Sequence, residues 1–256
     1  MAMTRIGILG ATGRMGRAIA DATTSMGATI AGGIGRDGAV QGEHGDLQAL
    51  ALASDVLVDF TRPDALAAHL EAATRANCPI VIGTTGLSPD DHALIDKAAT
   101  RIALVQAANT SLGVNLLRHL VKEAAARLGP DWDIEVLEMH HRHKVDAPSG
   151  TALLLASSAA QGRGSTLQAL SRFDRISEHP PEHAQAREEG TIGYAALRGG
   201  SVAGDHMVIF AGDSERIELG HRAENRGIFA RGAVKAALWL RGKEPGRYDM
   251  NDVLGL

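Results

Sequence analysis

The chain has 256 residues, enough for one large domain or two modest ones with their own cores. Hydrophobic residues make up 45% and charged residues 22%, as in ordinary globular proteins, and the net charge of -4 gives no reason to expect a nucleic-acid partner. One cysteine, Cys78, excludes an intramolecular disulfide and fits a reducing compartment. No signal-peptide pattern and no membrane-length apolar stretch is present, so we expect a cytoplasmic protein with no membrane partner.

The first part of the chain alternates short apolar runs with helical patterns. These predict strands at residues 5–10, 28–33, 55–60, 79–83 and 101–105, and helices at residues 17–25, 65–77 and 88–99. Strands that alternate with helices indicate parallel βαβ units. We therefore predict an α/β fold with a doubly wound, parallel, Rossmann-type sheet over residues 1–109. Residues 219–256 complete this domain through an apolar helix at 228–240.

The pattern changes after Asn109. Further helices are predicted at residues 114–128 and 151–161, and strands at residues 133–139, 192–197, 207–210 and 216–219. These segments predict a second, α+β domain over residues 110–218 with a mixed or antiparallel sheet. Residues 163–189 are polar and contain Pro180 and Pro181, so we expect a long surface excursion there.

A glycine-rich loop joins the first predicted strand to the first predicted helix. Gly10 permits a tight turn, Gly13 lets the backbone approach a pyrophosphate, and Gly16 permits close helix packing. The helix N-terminus offers free N–H groups and a partial positive charge to phosphates. The spacing differs from the G-x-G-x-x-G form and a plain tight turn is the alternative. The position at the start of βαβ units favours a dinucleotide site.

Two later loops are predicted at the same edge of the sheet. Residues 83–86 follow the fourth strand and residues 107–110 follow the fifth, and open parallel sheets bind ligands outside the carboxyl ends of their strands. After the second strand, Arg36 can pair with the 2′-phosphate of NADPH, whereas Asp37 can bind the ribose hydroxyls of NADH. We expect NADPH or NADH as the cofactor, with NADPH favoured.

Residues 138–151 form the most unusual segment, Glu-Met-His-His-Arg-His-Lys-Val-Asp-Ala-Pro-Ser-Gly-Thr. Five cationic or potentially cationic side chains follow one another in it. A metal site is one alternative, but Arg142 and Lys144 would repel a divalent ion and no carboxylate stands at helical spacing, so we expect no metal. A solvated polar face is the other alternative.

Anion binding explains this segment best. Ser149 or Thr151 can cap the helix that follows, and Gly150 lets a ligand touch the backbone. Histidine suits proton transfer near neutrality, and lysine supplies a fixed charge or a proton. Strand alternation puts His141 and His143 on one side and His140 on the other, so periodicity alone does not say which histidine faces a substrate.

Residues 138–153 resemble the signature of the 4-hydroxy-tetrahydrodipicolinate reductase family, also called dihydrodipicolinate reductases, of the lysine and diaminopimelate pathway. The resemblance covers nearly the whole chain. It includes the loop at 10–16, Val58-Asp59-Phe60-Thr61, Gly83-Thr84-Thr85-Gly86, Ala107-Ala108-Asn109, Leu197-Arg198-Gly199-Gly200 and Tyr248-Asp249-Met250. It implies NAD(P)H-dependent reduction of 4-hydroxy-tetrahydrodipicolinate to tetrahydrodipicolinate by a homotetramer. The second domain would bind the substrate and assemble the tetramer through its sheet.

By the same resemblance, His140 is the general acid/base and Lys144 the proton donor. The cyclic dicarboxylate is held by His141, Gly150 and Thr151, to which we add Ser149 at the same helix start. The implied nucleotide contacts are Gly10, Ala11, Thr12, Gly13, Arg14, Met15, Arg36, Gly83, Thr84, Thr85, Ala107, Ala108, Asn109 and Thr110.

Two positions depart from the family's usual form. Gly35 stands where members often carry an acidic residue, and Thr110 stands where an aromatic residue is common. Both bear on the balance between NADH and NADPH and not on the reaction. Asp205 also replaces a more familiar Glu after Gly204, and we attach no functional weight to it.

Two other functions fit part of the pattern. A semialdehyde dehydrogenase needs a cysteine nucleophile, and Cys78 precedes Pro79 at the start of a strand, the wrong end of the sheet for catalysis. A nucleotide sensor without catalysis needs the glycine-rich loop but not the His/Lys segment.

Overall fold

The computed structural model describes residues 3–38, 40–42, 44–173 and 186–256. The chain divides into two compact units, Met1–Leu112 with Arg226–Leu256, and Gly113–Asn225. The sequence predicts the two borders after residues 109 and 218, whereas the structure has them a few residues later, after Leu112 and Asn225. The second difference arises because a strand that begins at Glu215 continues to Arg222 within the second unit.

In chain order, the helices and strands are β1 (Arg5–Leu9), α1 (Arg14–Ser25), β2 (Thr29–Ile34), β3 (Val40–Gln41), α2 (Leu47–Ala53), β4 (Val56–Asp59), α3 (Pro63–Arg75), β5 (Ile80–Ile82), α4 (Pro89–Ala99), β6 (Ala103–Gln106), α5 (Leu112–Arg127), β7 (Asp133–His140), α6 (Gly150–Gly162), α7 (Leu167–Leu170), β8 (Ser171–Arg172), β9 (Ile192–Arg198), β10 (Asp205–Gly212), β11 (Glu215–Arg222), α8 (Gly227–Leu240), β12 (Gly246–Tyr248) and α9 (Met250–Leu254). None of the helices in the described part of the chain is both long and apolar enough to cross a bilayer.

Seven strands form one sheet in the first unit, in the order β12-β6-β5-β4-β1-β2-β3. All neighbours run parallel except β2 and β3. The doubly wound parallel sheet is therefore confirmed. The sequence does not predict β3 and β12, because two or three residues leave too little pattern.

Each face of this sheet carries its own core. Along β4, Val56 and Val58 lie in the core that α1, α8 and α9 share, whereas Leu57 lies in the core that α2, α3 and α4 share. Burial on both faces explains why the strands are apolar at nearly every position. Helix α8, which lies within the predicted C-terminal segment, packs on this sheet.

The second unit contains a five-stranded sheet in the order β11-β10-β7-β9-β8. Its pairs are antiparallel on the β10 side and parallel on the β9 side, so the sheet is mixed. Helices α5 and α6 share a core with one face. Along β7, Ile134, Val136, Glu138 and His140 alternate with less buried residues. The same alternation that builds the core thus carries a carboxylate and an imidazole to its side of the sheet.

Several element boundaries differ from the sequence prediction. Helix α1 begins at Arg14, inside the glycine-rich loop, and not at residue 17. Helix α2 is absent from the prediction. The expected surface excursion at 163–189 contains α7 and β8. Its residues 174–185, including Pro180 and Pro181, lie outside the described residues.

Candidate functional site

The glycine-rich loop of the first unit leaves no room for side chains. Gly10 has a φ of 87°, in the left-handed region that favours glycine. A Cβ on Gly16 would overlap the Gly10 carbonyl oxygen and the backbone of Ala11. Helix α1 starts after Gly13 without a side-chain cap, so its first N–H groups are available to an anion. This cradle fits the pyrophosphate of a dinucleotide.

A cleft of about 640 Å³ opens beside this loop, within the first unit. Arginines at positions 14, 17, 36 and 62 give the cleft a positive character that favours phosphate groups. Its lining consists of Gly10, Thr12, Gly13, Arg14, Arg17, Ile34, Gly35, Arg36, Gly38, Phe60, Thr61, Arg62, Asp64, Ala65 and His69.

The loop after β2 forms one end of the cleft. The Arg36 N–H donates to Thr12 Oγ1 over 3.3 Å, which joins this loop to the glycine-rich loop. A Cβ on Gly35 would lie 2.9 Å from Asp37 Oδ1 and 3.1 Å from Thr12 Cγ2. The carboxylate of Asp37 thus lies beside the glycine that replaces the family's acidic residue. Both rivals for the ribose end, Arg36 and Asp37, are exposed.

The predicted nucleotide contacts fall into three groups. Five of them line the cleft, namely Gly10, Thr12, Gly13, Arg14 and Arg36. Ala11 and Met15 instead pack against the adjacent hydrophobic core. The loops after β5 and β6, at residues 83–85 and 107–110, leave the same edge of the sheet but are not part of this lining.

Within these two loops the side chains have structural partners. A Cβ on Gly83 would overlap the ring of Phe60, so glycine is needed there for packing. Thr84 is buried and its hydroxyl donates to Asp59 Oδ1 over 3.4 Å. Thr110 is also buried, and its hydroxyl donates to the Phe229 carbonyl over 2.7 Å. The Thr110 hydroxyl therefore stabilises α8 through this hydrogen bond. Residue 110 is also the position where family members commonly carry an aromatic residue.

A buried acid–histidine pair lies at the end of β4, and the sequence reasoning did not single it out as a site. Asp59 is fully buried and its Oδ2 lies 2.8 Å from His69 Nδ1. Its Oδ1 accepts hydrogen bonds from the Thr61 N–H at 2.9 Å and the Thr61 hydroxyl at 2.6 Å. Asp59 thus fixes the loop that brings Phe60 and Thr61 into the cleft. In the sequence, the Val58-Asp59-Phe60-Thr61 motif was the signal that could have pointed to Asp59.

The second unit holds a buried cluster centred on Glu138, which is 1% exposed. Its Oε2 accepts from His140 Nδ1 at 2.6 Å and from Arg198 Nη1 at 2.8 Å. Its Oε1 accepts from Arg198 Nη2 at 2.7 Å and from the Ser149 N–H at 3.1 Å. Burial raises the pKa of Glu138, but the hydrogen bonds from Arg198 and His140 outweigh it and hold the pKa below its usual value. Glu138 is therefore a carboxylate at neutral pH.

This carboxylate determines the orientation of the His140 ring. An ionised carboxylate only accepts hydrogen bonds, so Nδ1 of His140 must carry the proton and Nε2 is the atom left for proton exchange. Gly204 lies against that atom with a φ of 152°, and a Cβ there would lie 2.9 Å from Nε2. A glycine at position 204 therefore leaves space beside Nε2 of His140 that any side chain would take.

Ser149 begins α6 and is 2% exposed. Its Oγ accepts from the Ala152 N–H at 3.2 Å and lies 3.0 Å from His206 Nε2. The prediction that Ser149 can cap this helix is confirmed. Its hydroxyl is occupied within the protein, which weakens the expectation that Ser149 contacts a substrate directly.

The other predicted substrate residues surround this helix start. Gly150 is exposed with no neighbour within 4 Å of a Cβ position, and Thr151 is partly buried. Lys144 Nζ donates to Asp146 Oδ1 over 2.8 Å. His141 follows the last residue of β7, so the strand alternation expected across 140–143 was wrong beyond His140. The strand ends because the backbone turns at 142–143.

Two residues of this cluster were missed as site residues. Arg198 reaches Glu138 from β9, and its Nη2 also donates to the Asp146 carbonyl over 2.6 Å. His206 reaches Ser149 from β10. Arg198 stands in the Leu-Arg-Gly-Gly motif noted in the sequence, but nothing in its spacing indicates a partner 60 residues away.

A Rossmann-type cleft in one unit and a carboxylate–histidine cluster in the other define a two-domain pyridine-nucleotide oxidoreductase. Residues 4–110 match the family model described as dihydrodipicolinate reductase, N-terminus, and residues 113–254 match its C-terminus model. The chain belongs to the dihydrodipicolinate reductase family.

Relatives and solved structures agree with this membership. The chain is 59% identical over 252 residues to 4-hydroxy-tetrahydrodipicolinate reductase of Zymomonas mobilis, covering 98% of this chain and 97% of the relative. It is 50% identical over 253 residues to the enzyme of the same name from Acidiphilium cryptum, covering 98% of each. Dipicolinate-bound dihydrodipicolinate reductase from Paenisporosarcina sp. TG-14 shares its fold, with a TM-score of 0.79 and 23% identity over 97% of this chain and 98% of that one.

Replacing Glu138 tests the cluster through stability. Glu138→Gln should lower the free energy of unfolding at pH 7 by about 3 kcal/mol, because it leaves the partly buried Arg198 charge uncompensated. The pKa of Glu138 is lower in the folded protein than its ordinary 4.5. Its stabilisation is therefore complete above that value and is lost as the pH falls through the folded-state pKa. Urea unfolding at pH 7 and pH 3 should show the native-to-variant difference shrinking at pH 3.

Glu135→Gln is the matched control, since Glu135 stands on the same strand and pairs with Arg187. Its loss should be smaller, because Arg187 keeps Asp133 and three backbone carbonyls. Equal losses for the two variants, or a difference that does not change with pH, would contradict the assignment of Glu138 as the central anion.

Proposed function

We propose that this chain catalyses the NAD(P)H-dependent reduction of 4-hydroxy-tetrahydrodipicolinate to tetrahydrodipicolinate, in lysine and diaminopimelate biosynthesis. The observation that carries the proposal is the buried Glu138, which orients His140 and holds Ser149 at the start of α6. The names of the relatives supply the reaction. In it the substrate gains a hydride and a proton and loses its hydroxyl group as water.

The dicarboxylate would be held at the N-terminus of α6. Exposed N–H groups and a partial positive charge favour a carboxylate there, and Gly150 lets it approach the backbone. The nearby cations in Lys144 and Arg142 add attraction for a dianion. Thr151 and His141 are the side chains that we assign to the same substrate.

Proton transfer is assigned to His140 and Lys144. We assign His140 Nε2 as the exchangeable nitrogen because Glu138 holds Nδ1–H, and histidine is the side chain that most often serves as a general acid and base. Lys144 supplies a second proton or a fixed charge, in place of its contact with Asp146. Cofactor binding is assigned to the cleft of the first unit and the loops at 83–85 and 107–110, and the bound nucleotide supplies the hydride.

Replacing either proton-transfer residue should lower kcat by roughly 10²- to 10⁴-fold, the usual scale for general acid–base groups. His140→Gln and Lys144→Ala should leave the nucleotide Kd, measured by fluorescence titration, nearly unchanged. His143→Gln is the matched control, since His143 is exposed in the same segment. Near-normal turnover of His140→Gln or Lys144→Ala would overturn the assigned roles.

Two alternatives are tested by the same assay. A nucleotide sensor would bind NAD(P)H but oxidise none of it when the cyclic substrate is added. A cysteine-dependent dehydrogenase is disfavoured by Cys78, because burial raises the pKa of its thiol to about 12 and so suppresses the nucleophilic thiolate. The cytoplasmic location and the lack of a nucleic-acid partner stay predictions from the sequence.

We further propose that NADPH is the preferred nucleotide. Arg36 lines the cleft and can form a charge-assisted pair with the 2′-phosphate, worth about 1.5–3 kcal/mol. Since about 1.4 kcal/mol is tenfold in affinity, the pair would favour NADPH by roughly ten- to a hundredfold, less after salt screening. Asp37 opposes this, because its carboxylate would repel the phosphate.

The ratio of kcat/KM for NADPH to that for NADH should exceed one in the native protein and fall by about tenfold in Arg36→Ala. Arg75→Ala is the control, since Arg75 is an exposed arginine whose partner is Glu71 on the same helix. Equal or better use of NADH by the native protein, unchanged in Arg36→Ala, would show that Arg36 does not select the nucleotide.

We also propose that the chain forms a homotetramer through the sheet of its second unit. The core of this unit lies on one face of the sheet, with α5 and α6. Leu137, Met139 and Met207 point to the other face and are only partly buried, and Leu197 beside them is 48% exposed. Apolar side chains on an uncovered sheet face are typical of a subunit contact.

Leu197→Glu should shift the mass measured by light scattering from tetramer to dimer or monomer, because it places a charge in the apolar contact. Leu52→Glu is the control, since Leu52 is 64% exposed on α2 in the first unit. A tetramer that survives Leu197→Glu unchanged, or a native chain that is monomeric, would contradict this proposal.

A further inference from the structure

We infer that His206 is a positioning residue for the reduction, which holds the start of α6 and the His140 ring in one arrangement. The inference rests on the proposed function. His206 is 6% exposed and stands on β10 directly opposite Glu138 of β7. It belongs to none of the proposed substrate or nucleotide contacts, although it touches two residues of the cluster.

The first contact of His206 is with the helix start. Its Nε2 lies 3.0 Å from Ser149 Oγ, and that oxygen already accepts the Ala152 N–H. Either atom can donate in this contact, so Ser149 and His206 are hydrogen-bonded whichever nitrogen of the His206 ring carries the proton. The Ser149 N–H donates to Glu138 at the same time. Adjacent strands β7 and β10 thus hold both polar groups of the residue that begins α6.

The second contact is with the His140 ring. The two ring centroids are 5.0 Å apart at an interplanar angle of 72°, an edge-to-face arrangement. Glu138 restrains His140 through Nδ1, and the ring of His206 restrains it from the side. A ring that is fixed at two places keeps its Nε2 in one position, which proton transfer requires.

The His206 ring is uncharged at neutral pH. Burial and the proximity of His140 lower the pKa of His206 to about 4. The charged and titratable groups around it are Glu138, His140, Lys144 and His221, of which only Glu138 favours a positive charge. His206 is consequently uncharged at neutral pH, where it keeps its hydrogen bond to Ser149 and adds no positive charge beside His140.

Two substitutions separate the contacts. His206→Phe keeps an aromatic edge against His140 but loses the hydrogen bond to Ser149, whereas His206→Gln keeps a hydrogen-bonding group and loses the ring. We expect His206→Phe to lower kcat/KM for the dicarboxylate substrate by roughly ten- to a hundredfold, the effect of one lost buried hydrogen bond. His206→Gln should recover part of that loss. The Kd of NADPH should be unchanged in both.

The binding of pyridine-2,6-dicarboxylate, measured by calorimetry, gives a readout that does not depend on turnover. Its Kd should rise in His206→Phe because the start of α6 is loosened. Ser149→Ala removes the same hydrogen bond from the other side, so the double variant should lose little more than either single variant. This cycle keeps the inference testable if one variant folds poorly.

The pH dependence of unfolding supplies an independent check. A histidine whose pKa is lower folded than unfolded costs stability as the pH falls from about 6.5 towards 4, since only the unfolded chain takes up the proton. The urea midpoint of the native protein should fall over this range more steeply than that of His206→Phe.

Three results would overturn the inference. They are a kcat/KM for His206→Phe within twofold of the native value, additive losses in the double variant, and a rise in the NADPH Kd that equals the loss in kcat/KM. A native chain that binds pyridine-2,6-dicarboxylate but does not turn over the substrate would contradict the proposed reaction instead, while the dicarboxylate Kd of the variants would still test His206.

Discussion

The buried carboxylate of Glu138 is the constraint on which the second unit depends. Removing a charge from water is expensive unless hydrogen bonds and an opposite charge replace the lost hydration. Arg198 supplies the charge, and His140 and Ser149 supply the remaining donors. Because these groups come from β7, β9 and the loop before α6, meeting the needs of one carboxylate fixes the position of three segments. The same arrangement leaves Nε2 of His140 without a bond to Glu138, as the proposed proton transfer requires.

The candidate nucleotide site of the first unit is built mainly from backbone groups. Its glycines are required by close approaches, at Gly16 against the preceding turn and at Gly83 against the Phe60 ring, and the uncapped start of α1 leaves N–H groups for an anion. Charged side chains surround the cleft. In the proposed selection of the nucleotide, Arg36 would attract the 2′-phosphate of NADPH and Asp37 would repel it. Asp59, buried with His69, positions the adjoining loop as Glu138 positions its own. In both units a buried acid at the end of a central strand holds the loops that would contact ligands.

Local pattern was enough to predict the parallel sheet, the glycine-rich turn and the capped start of α6. The residue pairs that build the site were not predictable in this way, because Glu138, Arg198 and His206 lie on different strands and meet only through sheet pairing. The side of His140 was ambiguous because alternation was extended past the end of β7, where the backbone turns. The roles of His140 and Lys144 came from family resemblance. Short elements such as β3 and α7 carry too few residues for a periodic signal.

The protonation state of the His140 ring tests the central role of Glu138 most directly. Nitrogen-15 NMR of labelled protein, with the His140 signals assigned by comparison with His140→Gln, distinguishes a protonated Nδ1 from a protonated Nε2. If Glu138 fixes the ring as described, neutral His140 should carry its proton on Nδ1. A proton on Nε2 in the neutral ring, or rapid exchange between the two tautomers, would contradict that role.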